Sequence, residues 1–320
     1  MLFKLPFRLD PPIVAYQYHA FSFGILFLEP SYRHDFFSRY GNIYYDREAV
    51  HRLDVARETW YTEMDYFERS RIGYQSKEIL CSQAHLTALA RHMLAAGYYV
   101  NSLFNACYQP NRHSYRACYH DHDIFLYGFD DECDIFLGAG YDKNGRYGDY
   151  EISSADFYHG LLTLETDNWL HFLKVRQGYP FLFDGDRLRR ELGDFLRSAR
   201  SYDCAGAGAP FGLAVYEALA EDIRAGLSDI PLGCFRLLWE HKKCMGLRLA
   251  YLREEGYAAD SALDAAYAQV IDDFAILFRL AVKNSVQPSP AIAERMLSRL
   301  AEGAEREERA VTALLSALDG

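Results

Sequence analysis

Residues 122–142 read HDIFLYGFDDECDIFLGAGYD, and this stretch decides the fold of the N-terminal half. Two apolar runs, IFLY and IFL, flank an acidic segment at residues 130–132. Apolar runs of strand length on either side of a polar turn predict a β-hairpin. A second turn signal, Asn144-Gly145, follows and predicts a third strand near residues 147–152. The region therefore predicts an antiparallel sheet.

Outward from this hairpin, the chain changes character near residue 180. Strand and helix patterns alternate before that point, including a helix at 78–96 that ends before Gly97 and a helix capped by Ser153. Apolar residues recur at helical spacing after it, in segments separated by prolines. The fold class predicted is α+β, with domains at 1–180 and 181–320. The helical segments predicted for the second domain are 185–200, 211–225, 231–255, 260–284 and 290–318.

The composition is that of a folded chain in a reducing compartment. Of 320 residues, 50% are hydrophobic, which is enough to build large cores. The net charge of −11 disfavours nonspecific binding to nucleic acid or to an anionic membrane. The number of cysteines is odd, at seven, and none forms a C-x-x-C pair. With no secretory signal and no apolar run of membrane-spanning length, the sequence predicts a cytoplasmic location.

His122 is the first candidate for chemistry. A histidine that opens a central strand can act as a general base when an acid fixes its tautomer and a nucleophile lies within hydrogen-bond reach. Asp142, at the end of the neighbouring strand, is the candidate acid. The alternative is that His122 is an ordinary hydrogen-bonded residue at a strand edge.

The nucleophile is harder to assign from the residues alone. Cys81 lies near the start of a predicted helix, where the helix dipole lowers a thiol pKa, but a buried core cysteine fits the same pattern. His120 and His122 would lie on one face of an extended segment, as metal ligands often do. No further ligand completes a zinc set in the sequence, so no metal and no cofactor are expected.

The predicted helix 231–255 combines an apolar stripe with a set of basic residues. The stripe indicates a helix packed in a core. The basic residues are interpreted as a solvated face, with an acidic carrier protein as an alternative partner for them. These residues are Arg236, Lys242, Lys243 and Arg248.

The region from residue 12 to 165 resembles the N-terminal domain of the butirosin biosynthesis protein H family. His122, Gly128, Asp130 and the segment ISSADF at 152–157 match that family's pattern in order. The resemblance implies a papain-like, C39-peptidase-like N-terminal domain, with His122 as the catalytic histidine. It also implies acyl transfer from a carrier-protein thioester to an amine, or cleavage of a related bond. The segment DFFSRYGNIYY at 35–45 is similar to segments of accessory proteins of nonribosomal peptide assembly.

The resemblance also exposes a departure at the nucleophile. The family's cysteine follows a histidine and enters a helix, and the matching segment here is YHAFSFGIL. His19 matches the histidine, the cysteine position falls on Ala20, and Ser22 lies close by. The resemblance therefore implies that His19, Ala20, Ser22 and His120 line the substrate site.

Three hypotheses follow from these residues. The first is an acyltransferase or amide hydrolase acting on a carrier-bound or peptidyl substrate, with His122 as base. The second is a catalytically degenerate protein of the same fold that binds an acyl or peptidyl intermediate, or a carrier domain. The third, ranked well behind, is a metal-dependent enzyme that uses His120 and His122.

Overall fold

The computed structural model divides the chain into two compact units. The first comprises Met1–Glu29 and Trp60–Tyr179, and the second comprises Pro30–Thr59 and Pro180–Gly320. The break at 179–180 falls where the composition changes, whereas the assignment of Pro30–Thr59 to the second unit requires contacts between segments distant in sequence. The residues described are 1–49, 52–56, 64–74, 82–166, 168–202, 206, 208–226, 230–257 and 261–319.

Helices and strands alternate in the first half of the chain, and helices follow in the second. In chain order, the elements are β1 (Leu2–Lys4), α1 (Gln17–Leu26), α2 (Tyr32–Arg39), β2 (Ile43–Tyr45), β3 (Leu53–Val55), β4 (Phe67–Tyr74), α3 (Gln83–Ala95), β5 (Tyr99–Asn105), β6 (Asp121–Asp130), β7 (Ile135–Tyr141), β8 (Tyr147–Ser153), α4 (Ser154–Leu162), β9 (Asn168–Val175), α5 (Gly185–Arg197), α6 (Ala214–Arg224), α7 (Leu232–Glu254), α8 (Ser261–Val286) and α9 (Pro290–Asp319).

The first unit is built on one antiparallel sheet. Its strands are ordered β4-β9-β5-β6-β7-β8. The short strand β1 pairs with residues 128–130 of β6, which follow the part of β6 that pairs with β5. The predicted hairpin is confirmed as β6 and β7, with Phe129 opposite Phe136 and a register shift between Leu126 and Gly128. The third strand is confirmed as β8. The α+β class and the antiparallel sheet are therefore confirmed, although β4 and β9 were not predicted.

Both faces of this sheet are covered by aromatic and aliphatic side chains. One face packs against α3 and α4 through a cluster that includes Phe104, Ile124 and Phe157. The other face meets α1, where the Phe21 ring stacks on Phe125 at 4.8 Å between centroids. Sheets buried on both faces need apolar residues at successive positions, which explains the continuous run IFLY in β6.

Local capping bounds the two helices on the first face. The hydroxyl of Ser153 accepts a hydrogen bond from the backbone N–H of Asp156 at 3.0 Å, which confirms the predicted cap of α4. The Ser82 hydroxyl accepts from the N–H of His85 at 3.2 Å, so α3 begins at Gln83. The predicted start of this helix, at residues 78–81, lies outside the described residues.

The second unit combines α2 and α5–α9 with the β2–β3 hairpin. The Tyr45 hydroxyl donates to the carboxylate of Asp222 at 2.8 Å, and the Asn42 amide donates to the backbone carbonyl of Glu191 at 3.0 Å. These buried contacts join the hairpin region to α5 and α6. Both contacts lie within the second unit, to which Pro30–Thr59 belongs.

The interpretation of the basic residues of 231–255 as a solvated face is wrong for two of them. Lys242 and Arg248 are fully buried. The Lys242 ammonium lies 2.8 Å from Glu307 and donates to the Tyr216 hydroxyl at 2.6 Å. Burial lowers the pKa of Lys242, and the Glu307 carboxylate opposes this shift. A buried charge of this kind is retained because an opposite charge and hydrogen bonds replace water.

The described helices include none with the length and apolar character required to cross a bilayer.

Candidate functional site

The candidate site lies in the first unit, where the N-terminus of α1 meets the start of β6. Gln17 is the first residue of α1 and its side chain is buried. Its amide oxygen accepts from the Arg112 guanidinium at 2.6 Å and from the backbone N–H of Tyr141 at 2.9 Å. Its amide nitrogen lies 3.1 Å from Nδ1 of His122 and 3.3 Å from the carbonyl oxygen of Asp123. One side chain thus joins a helix, a loop and two strands.

These partners fix the orientation of the Gln17 amide. A guanidinium and a backbone N–H can only donate, so the atom they approach must be the amide oxygen. The other end is then the NH₂ group, and it faces the Asp123 carbonyl, which can only accept. The donor and acceptor roles agree at all three contacts, so the assignment does not depend on a choice of amide rotamer.

The same contacts favour one tautomer of His122. The Nη2 atom of Arg112 lies 3.2 Å from Nδ1 of His122, and the Gln17 NH₂ group lies 3.1 Å from the same nitrogen. Both groups are donors, whereas the carbonyl oxygen of Asp123, an acceptor, lies farther from Nδ1 at 3.4 Å. The two shorter contacts favour Nδ1 as the acceptor, with the ring proton on Nε2. A nucleophile that relies on Nδ1 as its base would have to displace these two donors. The geometry is therefore suited to holding the ring in place rather than to removing a proton through Nδ1.

Arg112 and Asp123 set the charge of the site. Burial raises the pKa of Asp123 to about 6, and the neighbouring Arg112 guanidinium opposes the shift. Burial also lowers the pKa of Arg112, against the influence of Tyr150, Asp123 and Tyr141. Arg112, His122 and Asp123 are each partly exposed as residues. A guanidinium, an imidazole and a carboxyl group with a raised pKa thus belong to one partly exposed part of the unit.

Gly140 makes room for the Gln17 side chain. A Cβ atom at Gly140 would lie 3.0 Å from the Gln17 amide oxygen. Gly148, its partner in the β7–β8 register, faces open space. The close approach of the Gln17 side chain thus favours glycine at position 140 but not at position 148.

The sequence-predicted residues are distributed over several places. Asp142 lies at the β7–β8 turn, where its carboxylate accepts from the N–H groups of Asn144 at 2.8 Å and Arg146 at 2.9 Å. These hydrogen bonds lower the pKa of Asp142, with Arg146 first among the causes. Asp142 therefore organises the turn, while Gln17 and Arg112 contact the His122 ring that Asp142 was expected to orient. Cys81, the candidate nucleophile, lies outside the described residues.

The residues expected to line a substrate site fall into two groups. His19, Ala20 and Ser22 are buried within α1, and the His19 ring packs 4.5 Å from that of Tyr18. His120 is exposed, and its ring centroid lies 5.8 Å from that of His122. Of these four, His120 is the one that the structure brings to the accessible side of the candidate site.

Sequence reasoning missed Gln17 and Arg112. Gln17 had a detectable signal, because it is one of few polar residues in the otherwise aromatic and apolar stretch from residue 13 to 28. A polar side chain buried in such a stretch requires hydrogen-bond partners, which makes it informative. Arg112 had no such signal, since it lies in a polar loop.

A metal centre has no visible ligand set in the described part of the chain, where no three histidine, cysteine or acidic side chains converge. Searches of protein-family models and of curated proteins return no match for this sequence.

Proposed function

We propose that the first unit is a catalytically degenerate acyl-transfer domain of papain-like fold that binds an acyl or peptidyl intermediate without forming a covalent bond to it. The observation that carries this proposal is the occupation of Nδ1 of His122 by two donors, from Gln17 and Arg112. An amide and a guanidinium are not nucleophiles. Their contacts at Nδ1 support a role for the imidazole in binding rather than as a general base that acts through Nδ1.

The placement of α1 supports the papain-like part of the proposal. A helix begins beside the strand that carries the histidine, which is the arrangement that nucleophilic catalysis with a helix N-terminus requires. The residue that this helix presents to His122 is Gln17, three positions before Ala20. Under the proposal, the side chain of α1 that contacts His122 is the Gln17 amide, and the family's cysteine position falls on Ala20. Neither residue offers a thiol, so covalent chemistry is absent while the binding surface is retained.

The exposed parts of the site favour an acyl or peptidyl ligand. The Arg112 guanidinium is a strong donor to carbonyl and carboxylate oxygens. A role in natural-product assembly, with a carrier protein as the partner, is part of the proposal on the basis of the resemblance.

The test uses an aminoacyl N-acetylcysteamine thioester as a stand-in for the carrier-bound intermediate. Release of the free thiol is measured with a chromogenic disulfide, and binding is measured by ligand-observed NMR. We expect saturable binding with release at the rate of the buffer alone. Arg112→Gln should weaken binding about 10-fold or more, because a hydrogen bond to a charged group contributes about 1.5–3 kcal/mol.

The matched control is His113→Ala, an exposed residue next to Arg112 in the same loop, which should leave binding unchanged. Thiol release that is faster than in buffer and is lost in His122→Ala would show that the unit is an enzyme and overturn the proposal. Absence of saturable binding to the intact chain would also overturn it.

A further inference from the structure

The second unit contains a cavity of about 530 Å³ at one end of its helices. The C-terminal ends of α6 and α8 and the N-terminal ends of α7 and α9 surround it. Its floor is apolar and includes the buried side chains of Ile223, Phe235 and Met296. Pockets that hold small molecules usually have a volume of about 300–1,000 Å³ and a mostly apolar lining with a few polar groups. This cavity has both properties.

The polar groups at the rim differ in whether they already have partners. Arg224 forms an ion pair with Glu217 at 2.7 Å. The side-chain oxygen of Asn284 accepts from the backbone N–H of Ser289 at 3.2 Å. Glu294 is exposed at the rim, and in the described ranges of the chain no ion pair or hydrogen bond engages its carboxylate. Among the described lining residues, Glu294 is therefore the charged side chain that has no partner in the structure.

The charge of the whole chain favours the same class of ligand. With a net charge of −11, the chain attracts cations and repels anions over distances of about one Debye length. A fatty acid or another apolar anion would have to approach against this field and compete with Glu217 for Arg224. An apolar cation meets the opposite situation, because its body fits the floor and its charge faces Glu294.

We propose that the second unit binds a small amphiphilic amine in this cavity, with the apolar part on the floor and the protonated amino group at Glu294. This binding would be independent of the candidate site in the first unit. The ligand class is defined by chemistry alone: an aliphatic or aromatic body of cavity size that carries one amine.

The test compares three probes of equal chain length, decylamine, decanol and decanoate, below their aggregation concentrations. Binding to the intact chain is measured by ligand-observed NMR. We expect decylamine to bind most tightly, then decanol, then decanoate. Glu294→Gln should reduce the preference for decylamine over decanol by up to about five-fold, the range of an exposed ion pair, and leave decanol binding unchanged.

A pair of variants on the first turns of α9 separates the cavity from nonspecific adsorption to an acidic surface. Ala293→Phe places a ring at the cavity lining, whereas Ala291→Phe places the same ring at an exposed position that is not among the lining residues. Ala293→Phe should abolish binding of decylamine and decanol, and Ala291→Phe should not. Equal effects of the two variants, tightest binding of decanoate, or no binding of decylamine would each overturn the proposal. Circular dichroism confirms that each variant is folded.

Discussion

The hydrogen bonds of Gln17 give the sharpest test of the candidate site, because the chain contains a second buried glutamine in the opposite state. Gln17 is 4% exposed and uses both ends of its amide. Gln109 is 1% exposed, and in the described part of the chain neither end of its amide has a hydrogen-bond partner. Methionine has nearly the same shape as glutamine and cannot replace the amide's hydrogen bonds. The substitutions Gln17→Met and Gln109→Met therefore differ mainly in the hydrogen bonds that are lost.

The expected magnitudes follow from the contacts. Gln17→Met leaves the N–H of Tyr141 and the carbonyl of Asp123 without their side-chain partner, at about 1 kcal/mol each. It also removes one contact to the Arg112 guanidinium, which contributes about 1.5 kcal/mol. The free energy of unfolding of the first unit should fall by about 3.5 kcal/mol. Gln109→Met loses no such bond and should be neutral or stabilise the unit by up to about 1 kcal/mol.

Urea unfolding measures both variants, and hydrogen exchange of peptides from β6, β7 and β8 assigns the change to the first unit. Exchange at these peptides is needed because a chain of two units need not unfold in one transition. The reasoning is refuted if the two variants lose the same stability within about 0.5 kcal/mol. That result would mean that the amide of Gln17 is not hydrogen-bonded as the geometry indicates, or that the amide of Gln109 is.

Three further predictions concern charge and space. Because burial raises the pKa of Asp123 to about 6, the folded chain keeps a proton that the unfolded chain releases at about pH 4, so the free energy of unfolding should fall as the pH rises from about 4 to about 6. Urea unfolding at pH 4.5 and pH 7 should show a smaller fall in Asp123→Asn than in the unmodified chain, and an equal fall would contradict the prediction. Lys242→Met should lower the free energy of unfolding of the second unit by about 3–5 kcal/mol, because it leaves the Glu307 carboxylate buried without its partner. Adding Glu307→Gln removes that carboxylate and should restore part of the lost stability in a double-mutant cycle, whereas strictly additive effects would count against the buried pair. Gly140→Ala should lower the melting temperature because the added methyl group displaces the Gln17 amide. Gly148→Ala, at the paired position in open space, should leave the melting temperature unchanged or raise it, and equal shifts in the two variants would show that the contact at Gly140 does not affect stability.

The candidate site illustrates the limit of sequence reasoning. His122 was identified because it opens a strand beside a recognisable turn, and both features are local. Its partners were not identified, because Gln17 lies 105 residues away in sequence and approaches His122 only after α1 has packed on the sheet. Asp142 was chosen for its position at the end of the neighbouring strand, but local hydrogen bonds to the turn engage its carboxylate. Short-range turn geometry thus determined its role.

The second unit shows the same limit for charge. Helical spacing predicted α7, but it did not predict that Lys242 would be buried. The position of a charged residue on a helix indicates which face it occupies, not whether another helix covers that face. Glu307, which pairs with Lys242, belongs to α9 and follows Lys242 by 65 residues in the sequence. The burial of Lys242 therefore depends on how the helices pack against each other.

By itself, the sequence determined the local elements: the β6–β7 hairpin, the β8 strand after Asn144-Gly145, the Ser153 cap and the helices after residue 180. Each of these elements depends on residues that are close together in the sequence, so the spacing of apolar residues and the residue types at turns are enough to predict it. The tertiary structure decided the β4–β9–β5 pairing, the membership of Pro30–Thr59 in the second unit and the contacts around His122. These features join segments far apart in the chain. Their energies arise from burial and from hydrogen bonds that exist only once the core excludes water.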